Sequence, residues 1–322
     1  MSEKLENTIL FDWFSVTTKI YDFSSMVDFL GLQSLNWSEG TGARGYKRRY
    51  YYDGISIHYD GINEGIWLEM SGQGCRVFET YSKTCNFNRL FNLVLDHPDE
   101  FHVTRLDVAY DDFEGLLSVK KILKNYMDMN IVSKFRNGSI ELNPFNKEDV
   151  TFYFGSRHSD TLFRIYNKKI ERGAEDLEHW VRFEIQLRDD NALNFIKNYE
   201  LLDYDVGVCF LAVVNNYLRF VRPGSDSNKS RWEIASWWSK FITSVEKISL
   251  YSKKDVEYNL NRCSYYVINQ AGNAVDTLIQ CVGIDEFLKM LKERNVSKNP
   301  KYQKLIDDVQ QERFERGEGI EF

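Results

Sequence analysis

The chain has 322 residues, 43% of them hydrophobic and 15% aromatic, which excludes a disordered protein and leaves room for two domains. Its five cysteines, at 75, 85, 209, 263 and 281, form no CxxC pair, so neither a disulfide framework nor a zinc ribbon is expected, and a reducing cytoplasm is the expected setting. The net charge of −7 argues mildly against a nucleic-acid partner, and the longest apolar run, VGVCFLAVV at 206–214, is too short to cross a bilayer, so no membrane role is expected.

The N-terminal stretch, MSEKLENTIL, is charged and lacks the apolar core of a signal peptide. The predicted elements then run in a fixed order. A strand over 8–18 is followed by a helix over 24–33, a hairpin over 46–61, a strand over 65–72 and a helix over 86–97. The same order returns as a strand over 103–112, a helix over 117–129, a hairpin over 149–169, a strand over 179–188 and a helix over 191–200. FDW at 11–13 stands where LDV stands at 106–108, and LEM at 68–70 stands where FEI stands at 183–185. The reading is an α+β fold of two similar halves, about 8–100 and 101–200, each a mostly antiparallel sheet covered by helices on one side. The glycines of SGQGCR, 71–76, read as a tight turn after the strand bearing Glu69.

Within the first hairpin, GARGYKRRYYYDG places Arg44, Lys47, Arg48 and Arg49 beside three tyrosines. Basic residues interleaved with aromatics suit a surface that meets phosphates and stacks bases. The ordinary alternative is a solvated edge strand blunted by its charges. Strand alternation then sorts the later segments. Arg105, Asp107, Ala109 and Asp111 share one face, as do Arg182, Glu184 and Gln186, and as do Arg164, Tyr166 and Lys168. Trp67, Glu69 and Ser71 share a face in the first half.

Gathered carboxylates bind a hard divalent cation, Mg²⁺ or Mn²⁺, through oxygen. Arginine and lysine neutralise a phosphate, and a tyrosine can act as a covalent nucleophile. Tyr166, flanked by Arg164 and Lys168, is the candidate nucleophile. Asp107 and Glu184, with Glu69 as a third donor, are the candidate metal ligands. The ordinary alternative is a solvated sheet face with cross-strand ion pairs.

Beyond the loop RPGSDSNKSR at 222–231 the spacing turns helical, through RWEIASWWSKFITSVEKI, KKDVEYNLNRCSYYVINQ, NAVDTLIQCVG and IDEFLKMLKERN, with a charged tail. The expected division is therefore an α+β domain over 1–222 and a helical region over 223–322.

FDWFSVTT, LEMSGQGCRVFE, VTRLDVAYDD, TLFRIYNKKIE, WVRFEIQLR and RWEIASWWSKFI, in that order, resemble the Rep-trans family of rolling-circle replication initiators and the related MobT-type conjugative relaxases. The match covers roughly residues 8–245. The resemblance implies a relative of the HUH nucleases that lacks their histidine pair and holds its metal with carboxylates. It implies nicking of one strand of double-stranded origin DNA through Tyr166, a link to the 5′ phosphate and a free 3′ hydroxyl. Single-stranded DNA at the nick, a host superfamily-1 helicase and a homodimer are the implied partners. The family's RxDxxxD and late RxE strands fall on Arg105, Asp107 and Asp111, and on Arg182 and Glu184, with Arg105 and Arg182 expected to contact DNA. Two alternatives stay open: a relaxase nicking a transfer origin, and a non-catalytic origin-binding protein.

Overall fold

A computed structural model describes residues 5–61, 65–251, 272–293, 306 and 310. The first half runs β1 (Thr8–Thr18), α1 (Phe23–Leu30), β2 (Ser38–Thr41), β3 (Tyr46–Tyr52), β4 (Ile55–Gly61), β5 (Ile66–Met70), α2 (Gly72–Tyr81) and α3 (Phe87–Asp96). The second runs β6 (Phe101–Asp112), α4 (Val119–Met127), β7 (Ile131–Ser133), β8 (Gly138–Asn143), β9 (Asn146–Phe154), β10 (Thr161–Asn167), α5 (Lys168–Arg172), β11 (Val181–Arg188) and α6 (Asp189–Leu201). Then come α7 (Val206–Tyr217), β12 (Leu218–Phe220) and α8 (Ser236–Tyr251). The apolar run at 206–214 lies within α7.

Ten strands form one sheet in the order β2-β3-β4-β5-β1-β6-β11-β10-β9-β8, while β7 and β12 pair separately. From each edge inward the order is the same: β2, β3, β4, β5, β1 on one side and β8, β9, β10, β11, β6 on the other. The expected α+β class therefore holds, with the two halves joined through β1 and β6 into a single antiparallel sheet.

Alternation decides the two faces. Leu106, Val108 and Tyr110 of β6 and Phe183 and Ile185 of β11 are fully buried on one of them. There Tyr110 and Phe183 meet Phe210 of α7 and Phe241 of α8, and Phe11 of β1 meets Phe87 and Phe91 of α3. The polar residues of the same strands share the opposite face. Asp22, Asn86, Ser118 and Asp205 cap α1, α3, α4 and α7 through their side chains, as short polar residues do when they satisfy free helical N–H groups. α1 ends three residues before its predicted limit because Gly31 turns left-handed at φ +69°.

SGQGCR is not a tight turn: it opens α2, capped by Ser71. Glycine is a poor helix former, so the local signal pointed elsewhere. Tertiary approach explains both glycines. A Cβ on Gly74 would lie 2.2 Å from the Gly54 carbonyl oxygen in the β3–β4 turn, and one on Gly72 would lie 2.8 Å from an Asp12 carboxylate oxygen.

The first compact unit spans Met1–Lys253 and the second Lys254–Phe322, so the division expected at 222 falls inside the first. The reason is α8, whose Trp238, Phe241 and Val245 are buried. The Trp238 ring lies 4.9 Å from Phe220, 4.8 Å from Phe241 and 6.1 Å from Phe183. Trp238→Ala is expected to cost about 3–5 kcal/mol, the range for emptying a buried aromatic site, read as a lower urea midpoint at unchanged slope. In the second unit, α9 (Gly272–Val282) and α10 (Ile284–Glu293) are described. The predicted helix over 253–270 and the charged tail lie outside the described residues apart from 306 and 310. No described helix is long and apolar enough to cross a membrane.

Candidate active site on the polar face of the sheet

β10, β11 and β6 are consecutive neighbours, and their registers bring the candidate residues together. Arg164 pairs with Glu184, Tyr166 with Arg182, Glu184 with Ala109, and Gln186 with Asp107. Asp107 is thus the diagonal neighbour of Glu184, within reach across a sheet. Ala109, directly opposite Glu184, has no side chain long enough to separate them. Both carboxylates are buried.

The Tyr166 hydroxyl is buried between two groups. It donates to Glu184 Oε2 at 3.4 Å and accepts from Lys168 Nζ at 3.2 Å. Lys168 was expected on the strand with Tyr166; it is the first residue of α5, capped by Asn167, and still reaches the phenol. Its ammonium also pairs with Glu171. Arg164 pairs with Glu184 Oε1, so one carboxylate joins the arginine and the tyrosine.

Burial and the neighbouring Glu184 charge push the Tyr166 phenol well above its ordinary value, against the opposing pull of Arg182 and Arg164. The flanking cations therefore do not make it a phenolate in the free protein. Asp107 is pushed up to about 7, by burial and by the adjacent Glu184 carboxylate, despite its hydrogen bond from Arg105. Burial alone would raise Glu184 too; the Arg164 guanidinium overrides it and holds Glu184 below its ordinary range. Two buried carboxyl groups so close disfavour ionising together, so the Asp107 carboxyl gives up its proton at higher pH than an ordinary aspartate.

That proton has a stability consequence. Between the ordinary aspartate value of 3.8 and about 7, the folded chain holds a proton on Asp107 that the unfolded chain has lost. Stability contributed by this group is present at low pH and falls as pH rises through that window. Metal-free thermal melts at pH 5 and pH 7.5 are expected to show this loss, and Asp107→Asn is expected to remove it. Glu184 acts with the opposite sign, but below its ordinary value of 4.5, outside the measured interval.

Two further carboxylates belong to this site: Asp111, which the sequence places in the RxDxxxD strand, and Asp12, which carries no expected role. Asp12 falls in a break of register between Phe11 and Trp13, an extra residue in β1 opposite β6. Such a bulge re-aims a side chain, and Asp12 Oδ2 accepts from Arg182 at 2.7 Å. Asp111 accepts two bonds from Arg182, at 2.8 and 2.7 Å, and one from Trp180 Nε1 at 2.7 Å. Arg182, expected to contact DNA, is only 5% exposed, and its bonds go to Asp111 and Asp12. It is an internal clamp rather than a surface contact. The FDW–LDV match was the available signal for Asp12, since it aligned Asp12 with Asp107.

Arg105 forks onto Asp107 and covers the Trp13 ring at 4.2 Å. Glu69 lies on the same face with β1 between its strand and that of Asp107, opposite Ser15. Its charged neighbours are Arg44, Arg105 and Arg49, and burial raises its pKa. Among the described residues no three His, Cys, Asp or Glu side chains converge as a metal cluster. Asp107 and Glu184 do fit a divalent cation as two hard oxygen donors whose close contact otherwise needs a proton. On the hairpin, Arg49 lies over Tyr51 at 4.8 Å and Arg44 over Trp67 at 4.9 Å, while Lys47 and Arg48 are exposed beside Asp60.

Known proteins match this chain in sequence and in fold. The family profile described as Rolling Circle replication initiation protein N-terminal domain matches residues 8–92, and that described as Replication initiation factor, Rep_trans, matches 101–310. A putative DNA relaxase NicK of Bacillus subtilis (strain 168) is 26% identical over 314 residues, spanning 92% of this chain and 88% of that protein. A replication initiation protein of Staphylococcus aureus is 31% identical over 152 residues, 45% of this chain and 44% of the relative. The solved rolling circle replication initiator protein of Geobacillus stearothermophilus is 31% identical, with a TM-score of 0.69 over 76% of this chain and 98% of that one. With its second half, its first half and its fold each matched to the same group, the chain belongs to the Rep-trans family of replication initiation factors.

Proposed function

We propose that this protein initiates rolling-circle replication by nicking one strand of double-stranded origin DNA with Tyr166. The phenolic oxygen attacks the scissile phosphorus, the bond to the 3′ oxygen breaks, and the chain is left on the 5′ phosphate with a free 3′ hydroxyl. The observation that carries this reading is the placement of the Tyr166 hydroxyl between Lys168 and the Glu184 carboxylate. A buried phenol is a poor nucleophile until it loses its proton, and Glu184 Oε2 is the acceptor it already faces. Lys168 remains at the same oxygen to balance its developing charge, and Arg164 stands beside it for the phosphate.

Asp107 and Glu184 are the residues that would hold Mg²⁺ or Mn²⁺, and such an ion supplies polarisation of a phosphoryl oxygen. Arg44, Lys47, Arg48, Arg49 and Arg105 are the proposed DNA contacts. A host superfamily-1 helicase and a second copy of the chain complete the proposed assembly. Relaxase action at a transfer origin is the second reading, favoured by the length of the match to the putative relaxase, 92% of this chain.

The test is incubation of the protein with a supercoiled plasmid carrying its replicon's origin, with Mn²⁺ and with chelator. Relaxed circles bearing covalently bound protein are expected with the metal. Binding without cleavage would return the non-catalytic reading. Cleavage of a transfer origin in place of the replication origin would select the relaxase.

A further inference from the structure

The matched strand order gives the Tyr166 site a counterpart in the first half. Glu184 pairs with Arg164 on the next strand outward, and Glu69 pairs with Ser56 in the same way. Two residues earlier on each inner strand, Arg182 pairs with Tyr166 and Trp67 pairs with His58. His58 therefore stands where the other half has its nucleophile.

This counterpart is built of donors. His58 and Trp67 are 2% and 4% exposed, and their rings stack at 4.4 Å. His58 Nδ1, Trp67 Nε1, Trp13 Nε1 and Arg49 Nε are all buried atoms with no hydrogen-bond partner. A buried polar group left in that state costs about 1–3 kcal/mol, so four together call for an explanation. The Arg44 guanidinium lies over the Trp67 ring and that of Arg105 over the Trp13 ring. Among the described residues Arg44 and Arg49 have no ion-pair partner within 4.0 Å, and the charged neighbours of Glu69 are Arg44, Arg105 and Arg49. Burial, then Arg49 and Arg44, push His58 down to about 4, so its ring is neutral and one nitrogen carries a hydrogen. Two arginines without an ion-pair partner and a set of unpaired N–H groups on one sheet face make a receptor for an oxyanion.

We propose that the first-half cluster of Arg44, Arg49, His58 and Trp67 is a second phosphate station, which holds an uncut backbone phosphate of the DNA while Tyr166 engages the scissile one. It rests on the nicking function proposed above. One phosphate cannot serve both stations: β4 and β10 are five strand spacings apart, about 24 Å at ~4.8 Å each. With an imidazole in place of the phenol, the station retains DNA without forming a tyrosine link to it. It fixes the duplex on the polar face at a point away from the nick.

The test uses Tyr166→Phe protein labelled with ¹⁵N-tryptophan, so that DNA binds and is not cut. The chain has seven tryptophans, and their indole N–H resonances are assigned by single Trp→Phe changes. An origin duplex is titrated in, with affinity followed in parallel by fluorescence anisotropy. Trp67 is expected to move downfield in step with binding, as it gains an acceptor. Trp180, bonded to Asp111 beside the Tyr166 site, reports separately on occupation of the nicking site. Added Arg49→Gln is expected to abolish the Trp67 shift and weaken the duplex several-fold. Movement of Trp180 alone, with the duplex bound, overturns the second station and leaves the nicking function standing. A Trp67 shift with inorganic phosphate but none with the duplex overturns the DNA assignment in favour of a free-anion site. No duplex binding at all removes the nicking function, and the station with it.

Discussion

Tyr166→Phe is expected to keep the fold and the affinity for origin DNA while eliminating both nicking and the covalent protein–DNA adduct. Only one hydroxyl is lost, and with it the bonds to Lys168 and Glu184. The loss of two such bonds amounts to about 1–3 kcal/mol of stability, small beside the loss of the attacking atom. The phenol of the free protein is un-ionised at neutral pH, because burial and Glu184 push it upward. Attack therefore depends on moving its proton, and phenylalanine has none to move. Peptide mapping of the adduct from the unmodified protein is the sharper measurement. The 5′ phosphate is expected on the peptide containing Tyr166; its recovery on another tyrosine would sink the assignment.

Asp107→Asn and Glu184→Gln are each expected to abolish nicking and leave much of the DNA binding. The two carboxyl groups are diagonal neighbours across the β6–β11 pair, so each change removes half of the proposed divalent-ion donor set. Glu184→Gln also removes the proton acceptor for Tyr166. Each variant leaves a partly exposed arginine, Arg105 or Arg164, beside an amide in place of its carboxylate, which costs less than the roughly 3–5 kcal/mol of breaking a fully buried pair. Melting curves are the necessary control, and Mn²⁺ binding followed by calorimetry is the readout that unfolding alone does not mimic. Folded variants that bind Mn²⁺ and nick as the unmodified protein does would remove that residue from the site. Glu69→Gln in the same titration decides the third donor: retained Mn²⁺ affinity excludes Glu69, consistent with its place beyond β1.

Much of this molecule is legible from one-dimensional pattern. The alternation of Arg105, Asp107 and Asp111 against Leu106, Val108 and Tyr110 is a local property of a strand, and it predicts one polar and one apolar face before any fold is known. The repeated element order and the paired FDW–LDV and LEM–FEI segments predict two matched halves, and the strands follow one order from each edge of the sheet inward. Tyr166 is distinguished by the cations two residues to either side, again a local pattern.

Tertiary structure alone decided which of these local features meet. That β1 and β6 join the halves into one sheet depends on contacts between residues some ninety positions apart, which no periodicity encodes. The same non-local pairing consumes Arg182 in a clamp with Asp111 and Asp12, although the family resemblance implied a DNA contact there. Asp12 reaches that clamp only because a bulge in β1 turns it, and Gly72 of α2 leaves the room. α2 itself opens with two glycines, whose weak helix propensity is outweighed by the close approach they permit to Asp12 and Gly54. Charge state was decided last and least locally. Asp107 holds a proton and Glu184 does not because burial, a neighbouring carboxylate and the arginines at 105 and 164 act together, and the sequence separates those groups by as many as 79 positions.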